Sequence, residues 1–135
     1  MMEYTDLSPS LQAAMEKAEN IAIEQLQSLR DFNPFILCGE SLDKIERIQS
    51  RETDEMFEMA EEIIGEMDDS ETTVLTYPDT IMLNDGTFHA IVCQIYNVDE
   101  DFGYSFGQIY RIDAGKINFL NKRVFLGEVR NLLVF

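Results

Sequence analysis

One short segment of the sequence matches a catalytic pattern. Residues 103–107, GYSFG, fit the Gly-x-Ser-x-Gly of a nucleophile elbow around Ser105. An elbow needs a strand before the serine, a helix after it and a histidine later in the chain. The residues after Gly107 are strand-like, and the single histidine, His89, precedes Ser105. We therefore interpret the two glycines as a bend or bulge in an aromatic strand.

His89 shares its predicted strand with Cys93, and alternation places both on one face. Four residues at about 3.3 Å each separate them by roughly 13 Å, which excludes a cysteine–histidine dyad within that strand. Cys38 lies on another predicted strand and could approach His89. Both cysteines sit in apolar runs, which is typical of buried, reduced thiols. One histidine and two distant cysteines also make a poor zinc site.

The segment that begins at Asn97 resembles the opening of a calcium loop, because Asn97, Asp99 and Asp101 offer oxygen ligands at alternate positions. Phe102 stands where an EF-hand needs its sharp-turn glycine, and Gln108 replaces the bidentate glutamate. A solvated hairpin loop is the preferred interpretation. No glycine-rich loop followed by lysine offers a phosphate cradle, so we expect no cofactor, no metal and no catalytic residue.

The strongest chemical signal is a run of acids. Residues 52–71 contain no lysine or arginine and ten carboxylates, at Glu52, Asp54, Glu55, Glu58, Glu61, Glu62, Glu66, Asp68, Asp69 and Glu71. Carboxylates crowded on one element repel one another, so such a face is either merely solvated or presented to something cationic. We predict that it binds a partner, through Glu55, Glu58, Glu61, Glu62, Glu66 and Asp69.

The overall charge favours the same class of partner. The net charge is −16, and residues 1–71 hold 19 acids and 5 bases, against 7 acids and 5 bases in the remainder. Such a field repels nucleic-acid phosphates and anionic lipid surfaces, so we expect neither nucleic acid nor membrane binding. A basic protein is the expected partner.

Length and composition predict one globular domain over residues 1–135. Hydrophobic residues make up 45% of the chain, which is enough for a core despite the charge. The first residues lack a basic region followed by an apolar one, and no stretch approaches the roughly 18 apolar residues of a membrane span. We therefore expect a cytoplasmic protein.

Two amphipathic helices are predicted in the first half. Ser8 caps the first, with Pro9 at its first position, and the helix ends near Arg30 because Pro34 follows. Thr53 is predicted to cap the second, in which an apolar arc opposes the acids. Between the helices, residues 32–38 and 42–48 are predicted to form a hairpin.

The second half is predicted to form strands over residues 73–77, 80–83, 87–96, 104–112, 116–120 and 124–134. Pro78 limits the first of these to an edge or a bend. The turns at residues 84–86, NDG, and 113–115, DAG, favour hairpins. We predict an α+β fold, with an antiparallel sheet of five to seven strands and both helices on one face. The predicted core contains Leu11, Met15, Ala22, Leu26, Phe57, Ala60, Ile64, Ile91 and Val92.

Three short motifs in this order of elements carry a resemblance. Residues 31–35, DFNPF, follow the first helix, and HAIV at 89–92 and FGQIYR at 106–111 follow the second. This arrangement resembles that of small uncharacterised bacterial α+β proteins. The resemblance implies a bacterial origin and a compact helix-on-sheet fold, and it implies no activity.

The sequence thus predicts a small acidic interaction or regulatory protein that binds a basic protein surface, in a toxin-neutralising (immunity-like) or chaperone-like role. The alternative from another class is a small hydrolase or metal-dependent enzyme that uses Ser105, His89 or the Asp99/Asp101 loop. A homo-oligomer formed through the edge or face of the sheet is compatible with either.

Overall fold

The fold is built from two helices and six strands in a computed structural model that describes residues 2–29, 31–50, 52–67 and 71–133. The elements, in chain order, are α1 (Pro9–Leu29), β1 (Phe35–Cys38), β2 (Lys44–Arg47), α2 (Thr53–Gly65), β3 (Thr72–Leu83), β4 (Gly86–Asn97), β5 (Phe102–Asp113) and β6 (Lys116–Arg130). All strands pair antiparallel in the order β2-β1-β3-β4-β5-β6. The α+β class and the strand number are confirmed.

The first helix begins as predicted at Ser8. The Ser8 Oγ accepts a hydrogen bond from the Leu11 amide at 3.4 Å, and its carbonyl accepts from the Gln12 amide at 2.9 Å. The described helix ends at Leu29, and Arg30 lies outside the described residues. Within the described segments, neither helix is long and apolar enough to cross a membrane.

The cap of α2 differs from the prediction, because Glu52 caps the helix and Thr53 is its first helical residue. The two carboxylate oxygens of Glu52 accept hydrogen bonds from the amides of Asp54, at 3.2 Å, and Glu55, at 2.8 Å. A carboxylate satisfies two of the free amides at once and places negative charge at the positive end of the helix dipole. Thr53 has a single uncharged hydroxyl, which provides neither a second acceptor nor a negative charge.

Both predicted tight turns are confirmed, and two predicted breaks in the strands are wrong. β3 continues through Pro78, which pairs with Ile91 of β4. Its other side faces no strand, because β1 pairs with β3 only as far as Thr76. The missing proline N–H therefore falls on an open edge, as predicted. β6 continues through Asn121, whose φ of 52° lies at an irregularity in the pairing with β5.

The two helices cover opposite faces of the sheet, so their predicted placement on one face is wrong. In β1, Phe35 and Leu37 pack beneath α1, while Ile36 and Cys38 pack beneath α2. We call these sides the α1 face and the α2 face. The physical reason is visible in β1, whose four residues are all buried. A strand that is apolar on both sides needs cover on both.

Where α2 does not reach, the α2 face of the sheet is covered by side chains of the sheet itself. Ile81, Phe88, Ala90, Val92 and Ile109 form a buried cluster there. Ile81 on β3 reaches over β4 to Gly107 on β5, where a Cβ would lie only 2.6 Å from its Cδ1. The absent side chain of Gly107 is therefore what lets the strands close over this cluster.

Eight of the nine predicted core residues are buried. The exception is Phe57, which is half-buried. Its ring packs edge-on against Tyr77 of β3, with 5.5 Å between the ring centroids. Phe57 therefore seals the margin between α2 and the sheet, where partial exposure is expected.

Candidate functional site

The acidic face of α2 is exposed. Five of the six predicted binding residues, Glu55, Glu58, Glu61, Glu62 and Glu66, lie on the solvent side, and Asp69 lies outside the described residues. The opposite side of the helix buries Met56, Ala60 and Ile64 against the α2 face of the sheet. This packing fixes the rotation of the helix about its axis, so the carboxylates are held outward on a rigid element.

Only one of these five glutamates forms an ion pair within the described part of the chain. Glu61 contacts the guanidinium of Arg130 at the end of β6, and both side chains are substantially exposed. Exposed pairs of this kind contribute about 0–1 kcal/mol. Glu55, Glu58, Glu62 and Glu66 contact no cationic group among the described residues. The face therefore carries surplus negative charge.

The structure keeps Ser105 and His89 apart. Ser105 is buried on the α2 face of β5, paired with Gln94 of β4 and Gly127 of β6. His89 is exposed on the α1 face, paired with Tyr110. Five residues along β5 separate Ser105 from Tyr110, or roughly 16 Å. The two side chains thus lack the hydrogen-bond geometry of a nucleophile and its base.

The two cysteines lie on opposite faces of the sheet and are not joined in a disulfide. Cys38 packs on the α2 face and donates from Sγ to the Lys44 carbonyl at 3.6 Å, so it does not approach His89. Cys93 packs on the α1 face, 3.6 Å from the Thr76 hydroxyl. Burial raises the pKa of the Cys93 thiol well above its usual range. A protonated, enclosed thiol is a poor nucleophile.

The loop after β4 is organised by its own hydrogen bonds. The Asn97 side-chain oxygen accepts from the Asp99 amide at 2.9 Å. The Asn131 side-chain amide donates to the carbonyls of Asn97, at 2.7 Å, and Glu100, at 2.8 Å. The side-chain oxygen of Asn97, one of the three candidate calcium ligands, is thus already engaged. Across the described residues, no three histidine, cysteine or acidic side chains come together as metal ligands.

A buried ion pair was not anticipated from the sequence. Glu19 of α1 is almost fully enclosed and accepts from the Arg123 guanidinium of β6, with Nη2 to Oε1 at 2.6 Å and Nε to Oε2 at 2.9 Å. The Tyr4 ring covers the guanidinium at 4.1 Å. Burial raises the pKa of Glu19, against the opposing attraction of Arg123. The signal in the sequence was an acid within the apolar stripe formed by Met15 and Ala22.

Comparison of the chain with protein-family models, curated proteins and solved structures yields no significant match.

Proposed function

We propose that this protein is a small acidic interaction protein that binds a basic partner through the exposed face of α2. The observation that carries the proposal is the set of four exposed carboxylates, Glu55, Glu58, Glu62 and Glu66, which contact no cation among the described residues. They stand on a helix whose other side is buried, so binding needs little reorganisation.

In the free protein, repulsion among these carboxylates lowers the free energy of unfolding. Glu58 and Glu62 are like charges four residues apart on α2, and Glu62 and Glu66 repeat this spacing at its carboxyl end, where Glu66 is the C-cap. Each such pair costs about 0.2–0.5 kcal/mol. A basic partner would turn this repulsion into attraction. Acids that are exposed and dense also accelerate encounter with a cationic protein, by an amount that depends on ionic strength.

The concrete form of the proposal is a toxin-neutralising or chaperone-like protein that covers a basic surface on its partner. Self-association through the acidic face is disfavoured, because two copies of α2 would bring like charges together. An enzyme is a weaker candidate, because Ser105 and His89 are on opposite faces of the sheet.

Affinity capture with charge-matched variants tests the proposal. One variant carries Glu58→Gln, Glu62→Gln and Glu66→Gln, and the control carries Glu24→Gln, Glu40→Gln and Asp85→Asn, which change the same charge at exposed positions outside α2. Partners captured at low salt by the native protein are quantified for both.

The proposal predicts that the helix variant loses the partner and the control keeps it. Equal loss from both would mean that only net charge matters. Unchanged capture by the helix variant would mean that the face is merely solvated.

A further inference from the structure

A pocket of about 330 Å³ opens beside α2, on the α2 face of the sheet. Phe57 and Glu61, four residues apart, line it from the helix, and Tyr96 of β4 and Val129 of β6 line it from the sheet. Leu132, which follows β6, closes one side. Phe57, Val129 and Leu132 are partly exposed and pack against the buried cluster that contains Tyr96. These walls therefore belong to one face of the sheet.

Gly103 of β5 brings the sheet side of the pocket together. It is the first glycine of the GYSFG segment, and β5 lies between β4 and β6. A Cβ at Gly103 would lie 2.6 Å from the Tyr96 ring and 3.0 Å from the Val129 Cγ2. Side chains from the two flanking strands therefore meet over the bare backbone of Gly103.

The polar groups in the pocket are already engaged. Gln94 accepts from the Tyr96 hydroxyl at 2.6 Å through Oε1 and donates from Nε2 to the Tyr77 hydroxyl at 3.2 Å. Arg130, the one cation in the lining, contacts Glu61. A polar group that entered would lose water without gaining a free partner, whereas an apolar side chain would gain by burial. The pocket therefore suits an apolar group.

The pocket adjoins the acidic face of α2. Glu61 lies in its lining, and Glu58 stands three residues earlier, on the adjacent turn of the same side of the helix. Glu58 and Glu62 are exposed and contact no cation among the described residues. A group bound in the pocket would thus have carboxylates beside it, which favours an apolar side chain flanked by lysine or arginine.

We propose that the pocket receives one bulky apolar side chain from a basic segment of the partner, whose flanking cations face Glu58 and Glu62. This inference rests on the proposed function, since it assigns an anchor residue to the same interface. Protein interfaces commonly place an apolar anchor in a pocket and charged residues around it. The carboxylates attract the segment, and the pocket fixes its position.

Titration of the isotope-labelled protein with capped tripeptides tests the pocket without the partner. KLK carries both the anchor and the cations, KSK lacks the anchor, and ELE reverses the charge. Shifts are followed at the Gln94 side-chain amide and at the backbone amides of Val129 and Leu132. We expect saturable shifts with KLK, with a dissociation constant on the order of millimolar. KSK should bind about fivefold more weakly, and ELE should give no saturable shift.

Three variants locate the site, each checked for its fold by its amide spectrum. Leu132→Ala removes one wall, so KLK should bind about three- to fivefold more weakly. Glu58→Gln with Glu62→Gln keeps the pocket and removes charge beside it, so the preference for KLK over ELE should shrink. Leu126→Ala removes a partly exposed leucine of β6 outside the pocket, and as the matched control it should leave binding unchanged.

Equal binding of KLK and KSK, shifts that map elsewhere, or KLK binding that ignores Leu132→Ala would each overturn the inference. If the pocket fails while capture through α2 succeeds, the proposed function stands and the anchor is wrong. If KLK binds in the pocket but the helix variant captures its partner normally, the proposed function fails on its own test and the assignment of the anchor falls with it.

Discussion

Arg123 donates three hydrogen bonds to the carboxylate of Glu19, and this pair ties the last strand to the first helix across 104 residues of sequence. The Glu19 side chain is 3% exposed and that of Arg123 is 25% exposed. Because the guanidinium binds both carboxylate oxygens, the pair fixes where α1 lies on the α1 face as well as joining it to β6.

Removing one member of this pair should be far more damaging than removing both. Arg123→Met leaves a buried carboxylate without its cation and should lower the free energy of unfolding by about 3–5 kcal/mol. The double variant Glu19→Leu with Arg123→Met should recover much of that loss, because no buried charge remains. Urea unfolding of both variants measures this. A double variant that is no more stable than the single one would contradict it.

Gly103 and Gly65 should respond in opposite ways to alanine. A Cβ at Gly103 would lie 2.6 Å from the Tyr96 ring, so Gly103→Ala should cost about 1–3 kcal/mol through overpacking. A Cβ at Gly65 meets nothing within 4 Å at the end of α2, so Gly65→Ala should add about 0.5–1 kcal/mol. Thermal unfolding of the two variants compares them directly. A neutral Gly103→Ala would remove the packing explanation for this glycine.

Stability should fall at alkaline pH through buried tyrosines. Tyr96 donates to the Gln94 side chain at 2.6 Å, and burial raises the pKa of its hydroxyl well above its usual range. In the unfolded chain this hydroxyl ionises near pH 10. The folded state therefore keeps a proton that the unfolded state loses, and stability present below about pH 10 is lost as pH rises further.

Urea unfolding between about pH 8 and pH 11 checks this, with Tyr96→Phe as the comparison. The variant should be less stable at neutral pH, by about 1–2 kcal/mol, because the Gln94 oxygen loses its donor. Its further loss above pH 10 should be shallower than that of the native protein, although Tyr77 also contributes. Identical slopes in the two proteins would contradict the assignment to Tyr96.

The sequence predicts most turns and helix starts here, although not the cap of α2 or the continuity of β3 and β6, and it predicts long-range placement poorly. Ser8 and Pro9 mark the start of α1 because capping depends on adjacent residues, and the hairpin turns follow from local backbone preference. The assignment of α2 to the opposite face depends on how β1 is covered, which periodicity in the helix does not encode. The continuous apolar run of β1 is the signal that both of its sides are buried.

The same contrast between local and long-range information applies to the candidate site. The acidic face could be read from helical spacing, because residues three and four apart share a side of a helix. The stacking of His89 on Tyr110 could not, since it depends on the register in which β4 pairs with β5. Strand pairing of this kind joins residues that are distant in the sequence.

Glu66→Lys should stabilise the domain while weakening its binding. The new cation stands four residues after Glu62 and at the negative end of the helix dipole, so we expect a gain of about 0.5–1 kcal/mol in unfolding free energy. The same change removes negative charge from the proposed binding face. A variant that unfolds at higher temperature and captures less partner fits both expectations. A loss of stability would contradict the repulsion assigned to the face.

The salt dependence of the association rate with the captured partner tests whether the acidic face of α2 guides binding. The native protein should associate quickly at low ionic strength and slow steeply as salt is added, because exposed charges are screened. The variant with Glu58→Gln, Glu62→Gln and Glu66→Gln should start slower and show a shallower salt dependence, while the control with Glu24→Gln, Glu40→Gln and Asp85→Asn should follow the native protein more closely. If the helix variant shows the native rate at low salt and the native slope, the acidic face of α2 does not guide binding and the account is wrong.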